Sequence, residues 1–129
     1  AAVLTSMARV YSHNISNKEL LADFPVTYVG DSAVYHPEVI NAWEKQFPFH
    51  MIDHYLPQLR SLTALKLDWG RNEDFSHIPF TSLQFSKKLE AYRIKHFAEE
   101  YIGDHGNMLG GFDGRIFNEL LPFFNKYLQ

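Results

Sequence analysis

The sequence predicts an α/β fold with a small sheet of about three parallel strands flanked by helices. A short apolar run, residues 62–69, ends at Gly70 and is typical of a buried strand followed by a loop. Residues 96–101 form a second candidate strand, and an amphipathic helix separates the two. Strands joined by a helix are parallel and connect by a right-handed crossover, so this order indicates a βαβ unit.

The helix between the two strands is predicted from Pro79 to about Arg93. Proline is tolerated in a first helical turn, and Phe85, Leu89 and Tyr92 recur at i, i+4 and i+7. This spacing places the three side chains on one apolar face, which we expect to cover the sheet.

A terminal helix is predicted after the glycine-rich loop that follows the second strand. Its apolar face is marked by Ile116, Leu120, Phe124 and Tyr127. Because a proline removes one hydrogen bond of a helix interior, we expect Pro122 to bend this helix. The strand-helix-strand-helix core thus spans residues 62–129.

The N-terminal half is predicted to be less regular than the core. Residues 1–10 are a candidate third strand. Residues 15–60 form a variable helical region that four prolines interrupt: Pro25, Pro37, Pro48 and Pro57. One helix begins at Pro37 and presents Val39, Ile40 and Trp43 on one face.

Length and composition exclude several classes of protein. The 129 residues fit a single domain, 1–129, and 46% apolar residues suffice for a packed core. The absence of cysteine excludes disulfide scaffolds and thiolate metal sites. A formal net charge of -3 gives no basic surface for nucleic acid, and no apolar run is long enough for a membrane helix. We therefore expect neither nucleic acid nor a membrane as a partner. No signal peptide is visible, so the compartment stays open, with the cytoplasm slightly favoured.

Acidic and histidine side chains follow the two predicted strands. Glu73 and Asp74 come three and four residues after Gly70, and His105 lies in the glycine-flanked loop after the second strand. Ligands and catalytic groups gather at the carboxyl ends of parallel strands. An acid followed by a histidine is also the chain order of the last two members of an α/β-hydrolase triad, in which the acid orients the imidazole.

Residues 65–128 resemble the C-terminal end of serine esterases of the α/β-hydrolase fold. The matching segments are LDWGRNEDF, KKLEAYRIKHFAEEYIGDHGN and RIFNELLPFFNKYL, and the group is that of the esterase D-like and feruloyl-esterase-like enzymes. The resemblance implies Glu73 as the triad acid, with Asp74 as the close alternative, and His105 as the base. The opening AAVLTSMARVY is similar to the family strand that follows the nucleophile helix.

The nucleophile elbow of that family, Gly-x-Ser-x-Gly, does not occur in this sequence. Ser32, within GDSAV, comes nearest to this motif, but it lacks the second glycine and falls at the wrong place in the chain order of the family. Because the chain starts inside an apolar run without Met, we expect the elbow to lie N-terminal to Ala1.

The resemblance therefore implies the C-terminal part of a carboxylic-ester hydrolase, inactive without the missing half. Its substrate would be a small-molecule ester, and no metal or organic cofactor is implied. The absent half would leave an open sheet edge near Ala1, so we expect a homodimer that pairs across it. The alternative function is a non-catalytic, dimer-forming or protein-binding module derived from an esterase.

Other polar and aromatic residues have competing interpretations. His50 and His54 are spaced i, i+4 around Asp53, so they form either a zinc-binding pair or an exposed polar face opposite Ile52. Asp104 either tunes the pKa of the neighbouring His105 or caps a turn. We expect His77 to be a solvated loop residue. We expect Trp43 and Trp69 to lie in the core or in a subunit interface.

Overall fold

The computed structural model describes residues 2–128, and these form two compact units that divide between His54 and Tyr55. The protein is of mixed α/β type, with helices and two small sheets, one of which is a parallel pair. The α/β class is therefore confirmed. The assignment of residues 1–129 to a single domain stays a prediction.

The first unit contains three helices and a hairpin. In chain order they are α1 (Ala2–Tyr11), β1 (Val26–Val29), β2 (Ser32–Tyr35), α2 (Pro37–Glu44) and α3 (Pro48–His54). The prediction of a third strand over residues 1–10 is wrong, because that segment is the helix α1. Its alanines, leucine, methionine and arginine are strong helix formers, and Met7, Ala8 and Tyr11 pack into the core of the unit.

The region 15–60 is not wholly helical, since it contains the antiparallel hairpin of β1 and β2. The register pairs Val26 with Tyr35 and Val29 with Ser32, which leaves a two-residue turn at Gly30 and Asp31. Gly30 has a φ of 59°, the left-handed conformation that such tight turns require. The Gly-Asp pair between β-branched and aromatic residues was the sequence signal for this hairpin.

Helix α2 confirms the prediction of a helix that begins at Pro37. Its residues Val39 and Trp43 are buried and form the core of the first unit together with Ala8 and Ala22. The Trp43 indole Nε1 donates a hydrogen bond to Ser12 Oγ over 2.7 Å. Trp43 therefore lies in the core, which is one of the two locations, core or interface, that the sequence predicts.

We expect the substitution Trp43→Phe to lower the free energy of unfolding by about 1–2 kcal/mol, through loss of the indole hydrogen bond and of packed volume. Urea unfolding would measure this change. Tyr28→Phe is the control, because the Tyr28 side chain is 72% exposed and its loss of a hydroxyl group should cost nothing measurable. Equal effects of the two substitutions would contradict the assignment of Trp43 to the core.

The second unit carries the parallel pair. In chain order it comprises α4 (Leu56–Ser61), β3 (Lys66–Gly70), α5 (His77–Ala91), β4 (Phe97–Tyr101), a π-helix (Ile116–Leu120) and α6 (Leu121–Tyr127). Strands β3 and β4 are parallel, with Lys66 opposite Phe97 and Gly70 opposite Tyr101. The predicted order of strand, helix and strand is confirmed, but among residues 2–128 this sheet has two strands and not three.

Helix α5 ends in a left-handed cap that turns the chain toward β4. Arg93 has a φ of 57°, and Ile94 N donates to Leu89 O over 2.9 Å, while Arg93 N donates to Glu90 O over 2.8 Å. These bonds satisfy carbonyl groups at the end of the helix. The side chains of Leu89 and Ile94 are buried at this cap. The cap fixes where β4 begins.

The terminal helix is divided. The π-helix ends at Leu120, α6 starts at Leu121, and Pro122 lies in the first turn of α6 instead of the interior of one long helix. A first helical turn tolerates proline, because its N–H group would have no partner inside the helix.

Candidate acid–histidine site

The carboxyl ends of β3 and β4 meet, and each is followed by a loop that carries a candidate side chain. Arg71 N donates to Tyr101 O over 2.8 Å, and Asn72 N donates to Gly103 O over 2.9 Å. The approach is so close that a Cβ atom at Gly70 would overlap the carbonyl group of Gly103. Glycine at position 70 is therefore what allows the two loops to lie side by side.

Glu73 and His105 are brought into contact by these loops. The Glu73 Oε2 atom lies 2.5 Å from His105 Nδ1. The Glu73 side chain is 1% exposed, whereas that of His105 is 61% exposed. An ionised carboxylate can only accept, so Nδ1 carries the proton and donates it to Glu73. In the neutral imidazole this leaves Nε2 as the basic nitrogen, and no residue within 2–128 forms a hydrogen bond with Nε2.

The contact with Glu73 raises the pKa of His105 above its ordinary value. The largest cause is the hydrogen bond from the imidazole to the Glu73 carboxylate, followed by the negative charge of that group. The charges of Asp104 and Asp74 act in the same direction, and partial desolvation opposes them. The site therefore favours the imidazolium form, the form that a triad histidine adopts after it takes up a proton.

The structure distinguishes the two candidate acids by their geometry. Glu73 contacts the imidazole directly, whereas Asp74 is exposed and acts on His105 through its charge alone. Of the two neighbouring carboxylates, Glu73 is the one placed to orient the histidine.

Asp104 caps the turn that holds His105. Its Oδ1 atom accepts hydrogen bonds from Gly106 N and Asn107 N, each 2.7 Å long, and Asp104 N donates to Asn107 Oδ1 over 2.9 Å. The two backbone N–H groups lower the pKa of Asp104. Asp104 thus has the turn-capping role, and its charge also contributes to the raised pKa of His105.

A network of charged side chains braces the strands before they reach the loops. Arg115 donates to Asp68 Oδ2 on β3 and to Glu99 Oε2 on β4, over 2.7 and 2.8 Å from its Nη2 atom. Its guanidinium carbon also lies 4.4 Å from the centre of the Tyr101 ring, and the Tyr101 hydroxyl donates to Asp104 O over 2.8 Å. The network thus links the paired strands to the turn that carries His105.

No protein-family model matches the chain, and no curated protein matches it either. The functional interpretation therefore depends on the residues of this chain and on their geometry.

Phe75 lies beside the histidine, and the sequence analysis did not single it out. Its ring centre is 5.9 Å from that of His105 and 6.2 Å from that of His77. His77 is exposed at the start of α5. The sequence signal for Phe75 is its place two residues after Glu73 in a loop at a strand end. Asn107 was also missed, although Asx residues in glycine-rich turns commonly bond to the backbone.

The other candidate residues belong to other elements than the two loops that carry Glu73 and His105. His50 and His54 are exposed on α3, whose Ile52 is buried, and Ser32 is exposed in β2. Within residues 2–128 no group of three or more histidine or acidic side chains is arranged to hold a metal ion. Trp69 is buried in β3, and its Nε1 atom donates to Glu100 Oε2 over 3.3 Å. No helix within the described part of the chain has the length and apolar character needed to cross a membrane.

Proposed function

We propose that this chain is the C-terminal part of a serine carboxylic-ester hydrolase of the α/β-hydrolase type. One observation supports the proposal above all others: a buried carboxylate, Glu73, accepts the Nδ1 proton of an exposed histidine, His105, at the carboxyl ends of two parallel strands. This is the arrangement in which a histidine serves as a general base through its other nitrogen.

The proposed mechanism is acyl transfer through a serine supplied by a Gly-x-Ser-x-Gly segment, which these 129 residues do not contain. His105 Nε2 takes the serine proton as the hydroxyl oxygen attacks the ester carbonyl, and then donates it to the leaving alcohol. Water, deprotonated by the same nitrogen, then attacks the acyl carbon, and the proton passes to the serine oxygen as its bond to the acyl group breaks and the carboxylic acid leaves. Glu73 keeps the proton on Nδ1 and stabilises the imidazolium that forms in each step.

A fluorophosphonate probe tests the proposal, because it reacts covalently with an activated serine. We expect the protein purified from its natural source to appear, by intact-mass spectrometry, as a species heavier than 15.0 kDa that carries one adduct. An unlabelled chain of 15.0 kDa would contradict an esterase function.

A second candidate function is that of a non-catalytic module that forms a homodimer. It is favoured by a parallel sheet of only two strands within the described residues, since parallel sheets are normally larger and covered. The pairing edge would belong to β3 or β4, not to a strand near Ala1, because residues 2–11 are helical. The C-terminal segment also exposes several large apolar side chains: Phe112, Phe117, Leu121, Phe124 and Leu128.

Sedimentation equilibrium at micromolar concentration tests this second candidate. A dimer-forming module has twice the mass of one chain. Ala98→Pro should weaken the association, because Phe97 N bonds to Leu65 O on the β3 side and the alternation along a strand places Ala98 N–H on the open side of β4. Asp31→Asn, an exposed substitution in the turn between β1 and β2, is the control and should leave the association unchanged. A mass of 15.0 kDa for the unmodified protein contradicts the module.

A further inference from the structure

The ring of Phe75 lies beside the imidazole of His105 in a tilted arrangement. The two ring centres are 5.9 Å apart and the ring planes are inclined by 32°. Such separations are within the range in which aromatic rings attract each other. Phe75 and Glu73 both belong to the loop between β3 and α5, so one loop contacts the histidine at two different places.

A single hydrogen bond does not fix the orientation of an imidazole ring. The bond between Nδ1 and Glu73 Oε2 holds one atom, and the ring can still rotate about the line that joins the two groups. The His105 side chain is 61% exposed, and no hydrogen bond from residues 2–128 reaches Nε2. A second contact with the imidazole ring can oppose this rotation, and the neighbouring ring of Phe75 is placed to make it.

We propose that Phe75 is a positioning residue that fixes the ring plane of His105 and thereby the direction of Nε2. Glu73 determines which nitrogen carries the proton, and Phe75 determines where the other nitrogen points. The electron-rich face of a phenyl ring also attracts a cation, so the same contact favours the imidazolium form. The catalytic consequence rests on the proposed esterase function, whereas the positioning itself is a property of this chain.

Three charged groups face His105 besides this ring, and all remain when Phe75 is changed. Glu73 and Asp74 lie in the loop after β3, and Asp104 precedes His105 in its own loop. Each of them raises the pKa of His105. A change in the titration of His105 after substitution of Phe75 alone therefore reports the aromatic contact.

The experiment is an NMR titration of the His105 imidazole in the full chain, combined with observation of its Nδ1 proton. In Phe75→Leu we expect a lower His105 pKa than in the unmodified protein and a broadened Nδ1 proton signal. Phe75→Tyr keeps the ring and should restore both properties. Phe80→Leu is the matched control, because Phe80 is also exposed, at 64%, and lies nearby in sequence on α5.

The proposal is overturned if Phe75→Leu titrates like the unmodified protein, or if Phe75→Tyr behaves like Phe75→Leu. If Phe75→Leu unfolds, Phe75→Tyr and Phe80→Leu still distinguish loss of the ring contact from a general loss of structure. In the complete enzyme we expect Phe75→Leu to lower kcat about threefold to tenfold and to leave KM unchanged. The two proposals can also be separated. If the His105 pKa changes in Phe75→Leu but the fluorophosphonate labels no serine, the esterase function is rejected and the positioning role of Phe75 is retained.

Discussion

Replacing Glu73 by Gln is expected to lower ester turnover by the proposed complete esterase about 10³-fold to 10⁴-fold, the order of effect that loss of a triad acid has. The amide is nearly the same size, but its NH₂ group can donate to Nδ1 and so favours the wrong tautomer, with the proton on Nε2. The substitution also removes the largest cause of the raised His105 pKa, so that pKa should fall toward its ordinary value.

Asp74→Asn is the matched control for this prediction. It removes one negative charge from the same loop but no hydrogen bond to His105, so turnover should change little and the His105 pKa should fall less. Steady-state kinetics with an aryl ester and an NMR titration measure the two effects. If Asp74→Asn proved the more damaging of the two, the assignment of Glu73 as the acid would be wrong.

Gly70→Ala is expected to lower the free energy of unfolding by about 3 kcal/mol, the upper part of the usual range for overpacking. The added methyl group meets the carbonyl of Gly103, a backbone group that cannot rotate aside as a side chain would. The hydrogen bonds from Arg71 N to Tyr101 O and from Asn72 N to Gly103 O should be displaced with it. The loops that carry Glu73 and His105 would then separate.

Urea unfolding measures this loss, with Gly110→Ala as the control. A Cβ atom at Gly110 meets no atom within 4 Å, so that variant should unfold at nearly the same urea concentration as the unmodified protein. Similar midpoints for the two variants would contradict the close approach of Gly70 to the Gly103 carbonyl group.

The part of the fold that could be predicted from the sequence is the unit of β3, α5 and β4. There the apolar pattern changes from a short run to a helical spacing and back, and Leu89 is buried as its place on the periodic face requires. The loop positions of Glu73 and His105 followed from the same pattern, because parallel strands end at one edge of a sheet.

The N-terminal segment shows where this reasoning fails. Residues 2–11 mix β-branched and helix-forming side chains, and packing of Ala8 against Trp43 within the first unit decides for the helix. Arg93 is a second example. Its left-handed backbone is unusual for a residue other than glycine, so the sequence carries no signal for the cap that ends α5.

The choice between Glu73 and Asp74 was also beyond the sequence. Neighbouring residues in a loop point in directions that depend on backbone dihedral angles, and neither residue type nor spacing determines these angles. The contact of Phe75 with His105 was missed for the same reason, since it depends on the path of two loops that are 30 residues apart in the chain.

The turn from Asp104 to Asn107 has a consequence for the pH dependence of the acid–histidine site. Its Asp104 carboxylate has a lowered pKa, so its contribution to stability is complete above the ordinary value of 3.8 and is lost as the pH falls through the lowered one. The raised pKa of His105 has the opposite sign: its contribution is complete below 6.5 and is lost as the pH rises through the raised value. These two groups together stabilise the His105 loop most in mildly acidic solution, whereas a histidine that acts as a neutral base needs a higher pH. The proposed esterase activity should therefore be highest on the alkaline side of the pH of greatest stability.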